Sequence, residues 1–208
     1  MAKIITVSRE FGSGGRELGK RIAEALGIPC YDHQIIEMVA EKQGLDPHYV
    51  EHISQNDLRG FYPTTIGRSF ALPHFAMIQS IEIATAEHEL LKELASAGDC
   101  VVVGRCADVV LDEMHPFNIF VCATDEAKLL RCRKNAGADE HYSDRQMLRK
   151  MRDSDKRRRN YRAMFTDKKW GMGSSYHLSV NTTGKEIKDL VPAIVAYINA
   201  WFDAGERK

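Results

Sequence analysis

Residues 4–18 read IITVSREFGSGGREL, and the interpretation of this stretch decides the fold. Lys3 to Val7 is a short apolar run, long enough for a buried strand and too short for a helix. From Arg16 to Leu26 the spacing predicts a helix, with Leu18, Ile22, Ala25 and Leu26 on one face and Gly27 as its stop. Between them lie Gly12, Gly14 and Gly15, which leave the backbone free to adopt positive φ and to approach an anion closely. The first N–H groups of the following helix attract phosphate. The order is therefore that of a phosphate-binding loop. In the usual pattern G-x-x-x-x-G-K-[ST], the lysine reaches the β- and γ-phosphates and the hydroxyl holds Mg²⁺. Laid on that pattern, Gly15 is the second glycine and Arg16 the lysine, while Glu10 falls on the first glycine and Glu17 on the hydroxyl residue. Arginine keeps the charge on a longer, planar fork. Ser13 offers a hydroxyl, at a spacing wrong for the standard metal ligand. The competing reading is a glycine-rich turn followed by a surface arginine.

Outward from this stretch, strands and helices alternate. Ile28 to Tyr31 is short and extended, and Asp32 is placed to cap a helix from His33 to Lys42. Residues 46–74 are the least regular part, punctuated by Gly60, Pro63, Gly67 and Pro73. Tyr49, Phe61, Tyr62 and Phe70 make that segment too aromatic for a free linker, so it is expected to be an inserted lobe or flap. Phe75 to Ala97 is the longest predicted helix. Cys100 to Val103 and Phe117 to Cys122 read as buried strands, and a helix runs from Asp125 to about Asn135. Ser143 caps a charged helix reaching about Arg162, His177 to Val180 is a last strand, and Gly184 to Phe202 a final helix. Such alternation predicts a parallel sheet with helices on both faces, and ligands of such sheets bind at the carboxyl ends of the strands.

Composition bounds the function. The chain has 208 residues, 44% of them apolar, with 29 basic and 29 acidic side chains, which fits one α/β domain and gives no overall pull toward nucleic acid or membrane. Cys30, Cys100, Cys106, Cys122 and Cys132 show no C-x-x-C spacing and read as buried thiols. The histidines show no H-E-x-x-H pattern, so no built-in metal site is expected. No run approaches the roughly 18 apolar residues of a membrane span, and the apolar run at the amino end is too short for a signal-peptide core. The expectation is a cytoplasmic protein.

Two further motifs carry charge to the predicted carboxyl edge. In VVVGRCAD, a strand ends in Gly104-Arg105, and arginine suits bidentate contact with phosphate. Asp108 is placed to orient Arg105 or to cap a helix. In KMRDSDKRRRNYR, residues 150–162, seven of thirteen residues are basic, and Arg152, Asp155, Arg158 and Tyr161 fall close to one helical face. Such a face can clamp a transferring phosphoryl group. The alternatives are a solvated helix or a basic run that binds RNA.

Taken together, ITVSREFGSGGRELGKRIAEALGIPCYD, VVVGRCADVVL, FVCATDEAKLLRCRK, RDSDKRRRNY and HLSVNTT resemble the cytidylate kinase-like family, in the nucleoside monophosphate kinase branch of the P-loop kinases. The resemblance implies a P-loop NTPase-type parallel sheet flanked by helices, with residues 46–74 as an acceptor-side insertion and 136–176 as a lid. It implies ATP and Mg²⁺ as cofactors and a small phosphorylated acceptor, such as a nucleoside monophosphate. Gly12, Ser13, Gly14, Gly15, Arg16 and Glu17, with Arg131 and Arg133, would serve the donor. Asp32, Gln34, Arg105 and Asp155 would serve the acceptor, and Arg16, Arg152 and Arg158 would be catalytic. The lid array of the family is one residue longer between its first arginine and its aspartate than Arg152 to Asp155 is here. The acceptor-side D-S-G-x-x-Y-R pattern begins here as Asp32-His33-Gln34 and lacks the Tyr-Arg pair. The altered loop keeps a second reading open, a nucleotide sensor without turnover.

Overall fold

Strands rich in β-branched residues pair as one parallel sheet, in the order Cys30–Tyr31, Cys100–Val103, Ile4–Arg9, Phe117–Cys122 and Leu178–Asn181. The computed structural model describes residues 2–55, 72–137 and 142–205. The strands are β1 (Ile4–Arg9), β2 (Cys30–Tyr31), β3 (Cys100–Val103), β4 (Phe117–Cys122) and β5 (Leu178–Asn181). β1 is central: Ile4 to Val7 register with Cys100 to Val103, and Ile5 to Arg9 with Phe117 to Val121.

Alternation along the strands divides the core into two faces. Ile5, Val7, Val101, Val103, Ile119 and Val121 face α1 (Gly15–Leu26) and the last helix, α8 (Ile187–Gly205). Ile4, Cys100 and Val102 face α2 (Gln34–Gln43), α3 (Pro47–Gln55), α4 (Leu72–Ser96) and the short α5 (Ala107–Val110). Gly19 lets α1 lie close to the sheet, since a Cβ there would meet Val103 Cγ2 at 2.6 Å. The remaining helices are α6 (Asp125–Lys134), capped by Thr124, and α7 (Asp144–Arg162). Ser143 and Gln146 form a full capping box at the start of α7. Among the described residues no helix is long and apolar enough to cross a membrane.

Several local expectations need correction. Asp32 does not cap α2. His33 holds that position, without a side-chain cap, and the Asp32 carboxylate turns to Arg16. Part of the irregular segment is helical: Pro47 starts α3 at the first helical position, where its missing N–H would have had no acceptor in the helix. Gly60, Phe61, Tyr62, Pro63, Gly67 and Phe70 lie outside the described residues. So do residues 138–141 of the expected lid. Asp108 neither orients Arg105 nor makes a side-chain cap on α5, and its partner is given below.

Candidate functional site

The carboxyl end of β1 runs into a loop whose carbonyls are tied back into the protein. Ser13 Oγ donates to Glu10 O at 2.8 Å, Arg131 Nη1 to Gly12 O at 2.9 Å, and Thr182 Oγ1 to Ser13 O at 2.7 Å. Gly12 (φ 73°) and Gly14 (φ 85°) supply the left-handed turns, and a Cβ on Gly12 would press on Cys132 Sγ at 2.9 Å. The first bond of α1 is Leu18 N–H to Gly14 O, so the N–H groups of Gly15, Arg16 and Glu17 have no acceptor within the helix. Glu10, at the position of the missing glycine, is an anchor. Its carboxylate accepts from Lys128 Nζ at 3.1 Å and from Ala123 N–H at 3.3 Å, which fixes the loop to the start of α6.

Arg9, the last residue of β1, joins the loop to the next strand. Its side chain passes between two glycines. A Cβ on Gly15 would run into Arg9 Cβ, and one on Gly104 into Arg9 Nη1. The guanidinium is 19% exposed and lies 3.8 Å from Asp32. Burial, then the charges of Arg158, Arg105 and Arg16, press its pKa down to about 9, with Asp32 opposing. Arg16, at the lysine position, is 58% exposed and pairs with Asp32 at 2.5 Å.

After β3 the chain makes a left-handed turn through Gly104 (φ 82°), Arg105 (φ 55°) and Cys106 (φ 53°). Two consecutive non-glycine residues in this region hold about 1–2 kcal/mol of strain each, and such strain concentrates at sites of function. The turn brings Arg105 Nη1 within 3.2 Å of Glu87 Oε1, a carboxylate of α4 that is 2% exposed. Behind it lies a buried ion pair: Arg162 donates through Nε at 3.0 Å and Nη2 at 2.8 Å to Asp108 Oδ2. Ser8 Oγ donates to the other Asp108 oxygen at 3.4 Å.

Helix α7 docks on the loop through two contacts. Asp155 accepts from Phe11 N–H at 2.8 Å, and Arg158 Nη1 donates to Arg9 O at 3.1 Å and to Asp155 at 3.0 Å. Burial pushes the Asp155 carboxyl up, while Phe11 N–H and Arg158 oppose it. The basic run is therefore split. Arg158 and Arg162 face inward, whereas Arg149 pairs with Asp153, Arg152 with Asp125, and Arg159 lies over the Trp170 ring.

Two adjoining cavities open at the carboxyl edge of the sheet. The larger, about 720 Å³, lies over the loop and is lined by Gly12, Gly14, Gly15, Glu17 and Arg131 among others. The smaller, about 320 Å³, is lined by Asp32, Glu87, Gly104, Arg105 and Tyr161 among others. They share Arg9, Phe11, Arg16, Lys150 and Arg158. Of the expected site residues, the loop, Arg131, Asp32, Arg105 and Arg158 converge here, and Asp155 and Ser13 support them from below. Three lie away from the cavities altogether: Arg152 is 72% exposed, Arg133 pairs with Asp144, and Gln34 is exposed at the start of α2. Arg9 and Glu87 belong to the linings without a role expected from the sequence motifs, and Lys150 joins them from the start of the basic run. Arg9 follows the same pattern as Arg105, a cation at the end of a buried strand.

The loop fits the phosphates of a nucleotide, with left-handed glycines, tied-back carbonyls and a helix N-terminus. It does not supply the usual hydroxyl for a metal. Ser13 Oγ is committed to Glu10 O, and the Glu17 carboxylate pairs with Arg21 at 2.7 Å. Among the described residues no group of three or more His, Cys, Asp or Glu is arranged to hold a metal ion.

A glycine loop between a central strand and the first helix, on a parallel sheet of this order, defines the fold of the P-loop kinases. Within that class the chain belongs to the cytidylate kinase-like family, whose sequence model matches residues 4–184. It is similar to an uncharacterized protein from Eubacterium ventriosum (22% identity, TM-score 0.68, covering 95% of this chain and 98% of that one). It also resembles shikimate kinase from Bacteroides thetaiotaomicron (14% identity, TM-score 0.56, covering 98% and 99%). A gluconokinase from Sinorhizobium meliloti is similar as well (16% identity, TM-score 0.55, covering 97% of each chain). These superpositions establish a shared fold. No curated protein matches the chain.

Proposed function

We propose that this protein is a phosphotransferase that moves the γ-phosphoryl group of ATP to a nucleoside monophosphate or similar small phosphorylated acceptor. The observation that carries this reading is the pair of cavities meeting at Arg9, Arg16 and Arg158, one over the glycine loop and one over Gly104-Arg105. Phosphoryl transfer needs donor and acceptor in line with cations around the moving group, and little other chemistry from the protein. The loop holds the donor, Arg105 the acceptor phosphate, and Arg16 and Arg158 the transferring group. An acceptor oxygen on a phosphate is already anionic, so no general base is required. Any Mg²⁺ would be held by the donor phosphates and water, without a protein hydroxyl from this loop, and would supply charge neutralisation of those phosphates. Residues 46–74 form the acceptor-side insertion and 136–176 the lid of a single kinase unit, the lid excluding water from the donor.

The test is ADP formation from Mg²⁺-ATP with each nucleoside monophosphate, and with shikimate and gluconate as hydroxyl acceptors. Turnover with a phosphorylated acceptor is expected, reduced about 100-fold or more in Arg16→Ala and Arg105→Ala, the scale of losing a transition-state charge contact. Turnover with shikimate or gluconate and no monophosphate would reassign the acceptor. A second reading, a sensor without turnover, draws on Arg16 pairing with Asp32 and Glu17 with Arg21. It predicts ATP-dependent thermal stabilisation with no ADP formed.

A further inference from the structure

We infer that Arg9, together with Arg105 and the left-handed turn at Gly104, forms a subsite for a phosphate dianion in the smaller cavity. This deepens the phosphotransferase reading and rests on it for its role, since the dianion would be the phosphate by which the acceptor is recognised. No motif assigns Arg9 to a ligand.

Gly15 and Gly104, on two different loops, lack the Cβ atoms that would displace the Arg9 side chain. Its backbone is held from outside by Arg158, which donates to Arg9 O at 3.1 Å. The guanidinium is thus placed by the sheet, both loops and α7, although it is only 19% exposed. Among the described residues its one carboxylate partner is Asp32, at 3.8 Å, beyond hydrogen-bond reach, and Asp32 already binds Arg16 at 2.5 Å. Arg158, Arg105 and Arg16 all repel it, and burial adds to their effect. A planar fork of N–H donors with this little compensation is costly unless an anion completes the arrangement. The neighbours say which anion. Arg105 is held by Glu87, and the Gly104 turn lies against the Arg9 guanidinium, so Arg9 and Arg105 border the same cavity. With Arg16 and Arg158 also in the lining of this cavity, the guanidinium groups suit a tetrahedral dianion better than a single carboxylate.

The experiment is calorimetric titration of the full chain with inorganic phosphate, while a non-hydrolysable ATP analogue saturates the loop. Wild type is expected to bind phosphate, Arg9→Gln to weaken binding roughly tenfold or more, and Arg9→Lys to fall between, because it keeps charge without the fork. Arg149→Gln, a surface control, is expected to bind as wild type. Should Arg9→Gln fail to fold by circular dichroism, Arg9→Lys carries the test. Wild-type phosphate affinity in a folded Arg9 variant overturns the inference, as does an equal loss in Arg149→Gln. Titration with ribose 5-phosphate against ribose separates the sources. Arg9-dependent binding of the phosphorylated sugar alone marks an acceptor phosphate, and binding of orthophosphate alone marks the free ion. If neither shows Arg9 dependence, the subsite does not exist. Absence of kinase turnover with Arg9-dependent phosphate binding intact would instead remove the phosphotransferase reading.

Discussion

Gly104 and Gly27 have similar backbone angles and opposite surroundings, so they separate conformational strain from site chemistry. Gly27 (φ 68°) ends α1, with nothing within 4 Å of where a Cβ would stand. Gly27→Ala should cost about 1 kcal/mol of stability in urea unfolding and leave the site untouched. Gly104 (φ 82°) carries the same strain, but its added Cβ would displace the Arg9 guanidinium. Gly104→Ala should therefore match Gly27→Ala in urea to within about 1 kcal/mol and also lose about 100-fold in kcat/KM. Equal activity in the two variants would show that Arg9 is not needed where it sits. The Asp108–Arg162 pair makes the complementary case, because its work is structural. Both side chains are almost fully buried, so Asp108→Asn strands a guanidinium that has lost its counter-charge. A loss of about 3–5 kcal/mol is expected in urea unfolding, the cost of breaking a buried pair from one side. Cys106 adds no nucleophile to this chemistry: burial, then the nearby Asp108 carboxylate, pushes its thiol up to about 12, so it is not a nucleophile at neutral pH.

Helix α7 owes its start to local sequence and its position to tertiary contacts. Ser143→Ala removes half of the capping box and should lower stability by about 1 kcal/mol, measured by thermal or urea unfolding. At its far end, α7 meets α4 where His88 Nε2 lies 3.4 Å from Tyr161 Oη and its ring 4.8 Å from Phe165. Burial, and then Lys92, hold the His88 pKa below its ordinary 6.5. The folded state thus binds the proton less readily than the unfolded chain. Stability is full above 6.5 and is lost as pH falls from there through the depressed value. His177 is shifted the same way by burial and Lys168, so His88→Gln should flatten part of this acid dependence and leave the rest. An unchanged pH profile of the urea midpoint would place the origin elsewhere. Elements governed by local signals were legible in the sequence: the Ser143 cap, the Gly27 stop, and the buried strands Cys100–Val103 and Phe117–Cys122. The short helices α3 and α5 were not. Pro47 signals a break or a helix start equally well, and α5 follows a left-handed turn that only tertiary packing imposes. Site residues followed the same division. Arg105 and the loop were legible as motifs, but Glu87 lies mid-helix, where a carboxylate ordinarily faces water. The inward turn of Arg158 and outward turn of Arg152 depend on how α7 is rotated against the loop, which a run of basic residues does not encode.

At the scale of the whole molecule, the sheet order places the glycine loop beside the Gly104-Arg105 turn, because β1 and β3 are neighbours. That adjacency brings two separately weak motifs together, and on the proposed function it would make donor and acceptor binding interdependent. Arg16 pairs with Asp32, which lines the smaller cavity, while Arg16 itself lines both. Arg158 ties α7 to the backbone of Arg9, which also borders both cavities. A donor phosphate that draws Arg16 away from Asp32 therefore changes the charge around the acceptor, and an anion beside Arg9 and Arg105 reduces the repulsion on Arg16 and Arg158. Each ligand should tighten the other, and by linkage the factor is the same in both directions. For wild type, a non-hydrolysable ATP analogue should bind roughly 5–150-fold more tightly when the acceptor is saturating, the usual range of coupling between sites. Arg158→Gln should bind each ligand more weakly and bring that factor close to unity, since the variant cuts the link between α7 and the Arg9 backbone. A surface change on the same helix, Arg149→Gln, should leave the factor at its wild-type value. If the two ligands bind independently in wild type, the shared arginines are neighbours without coupling, and the two cavities act as separate sites.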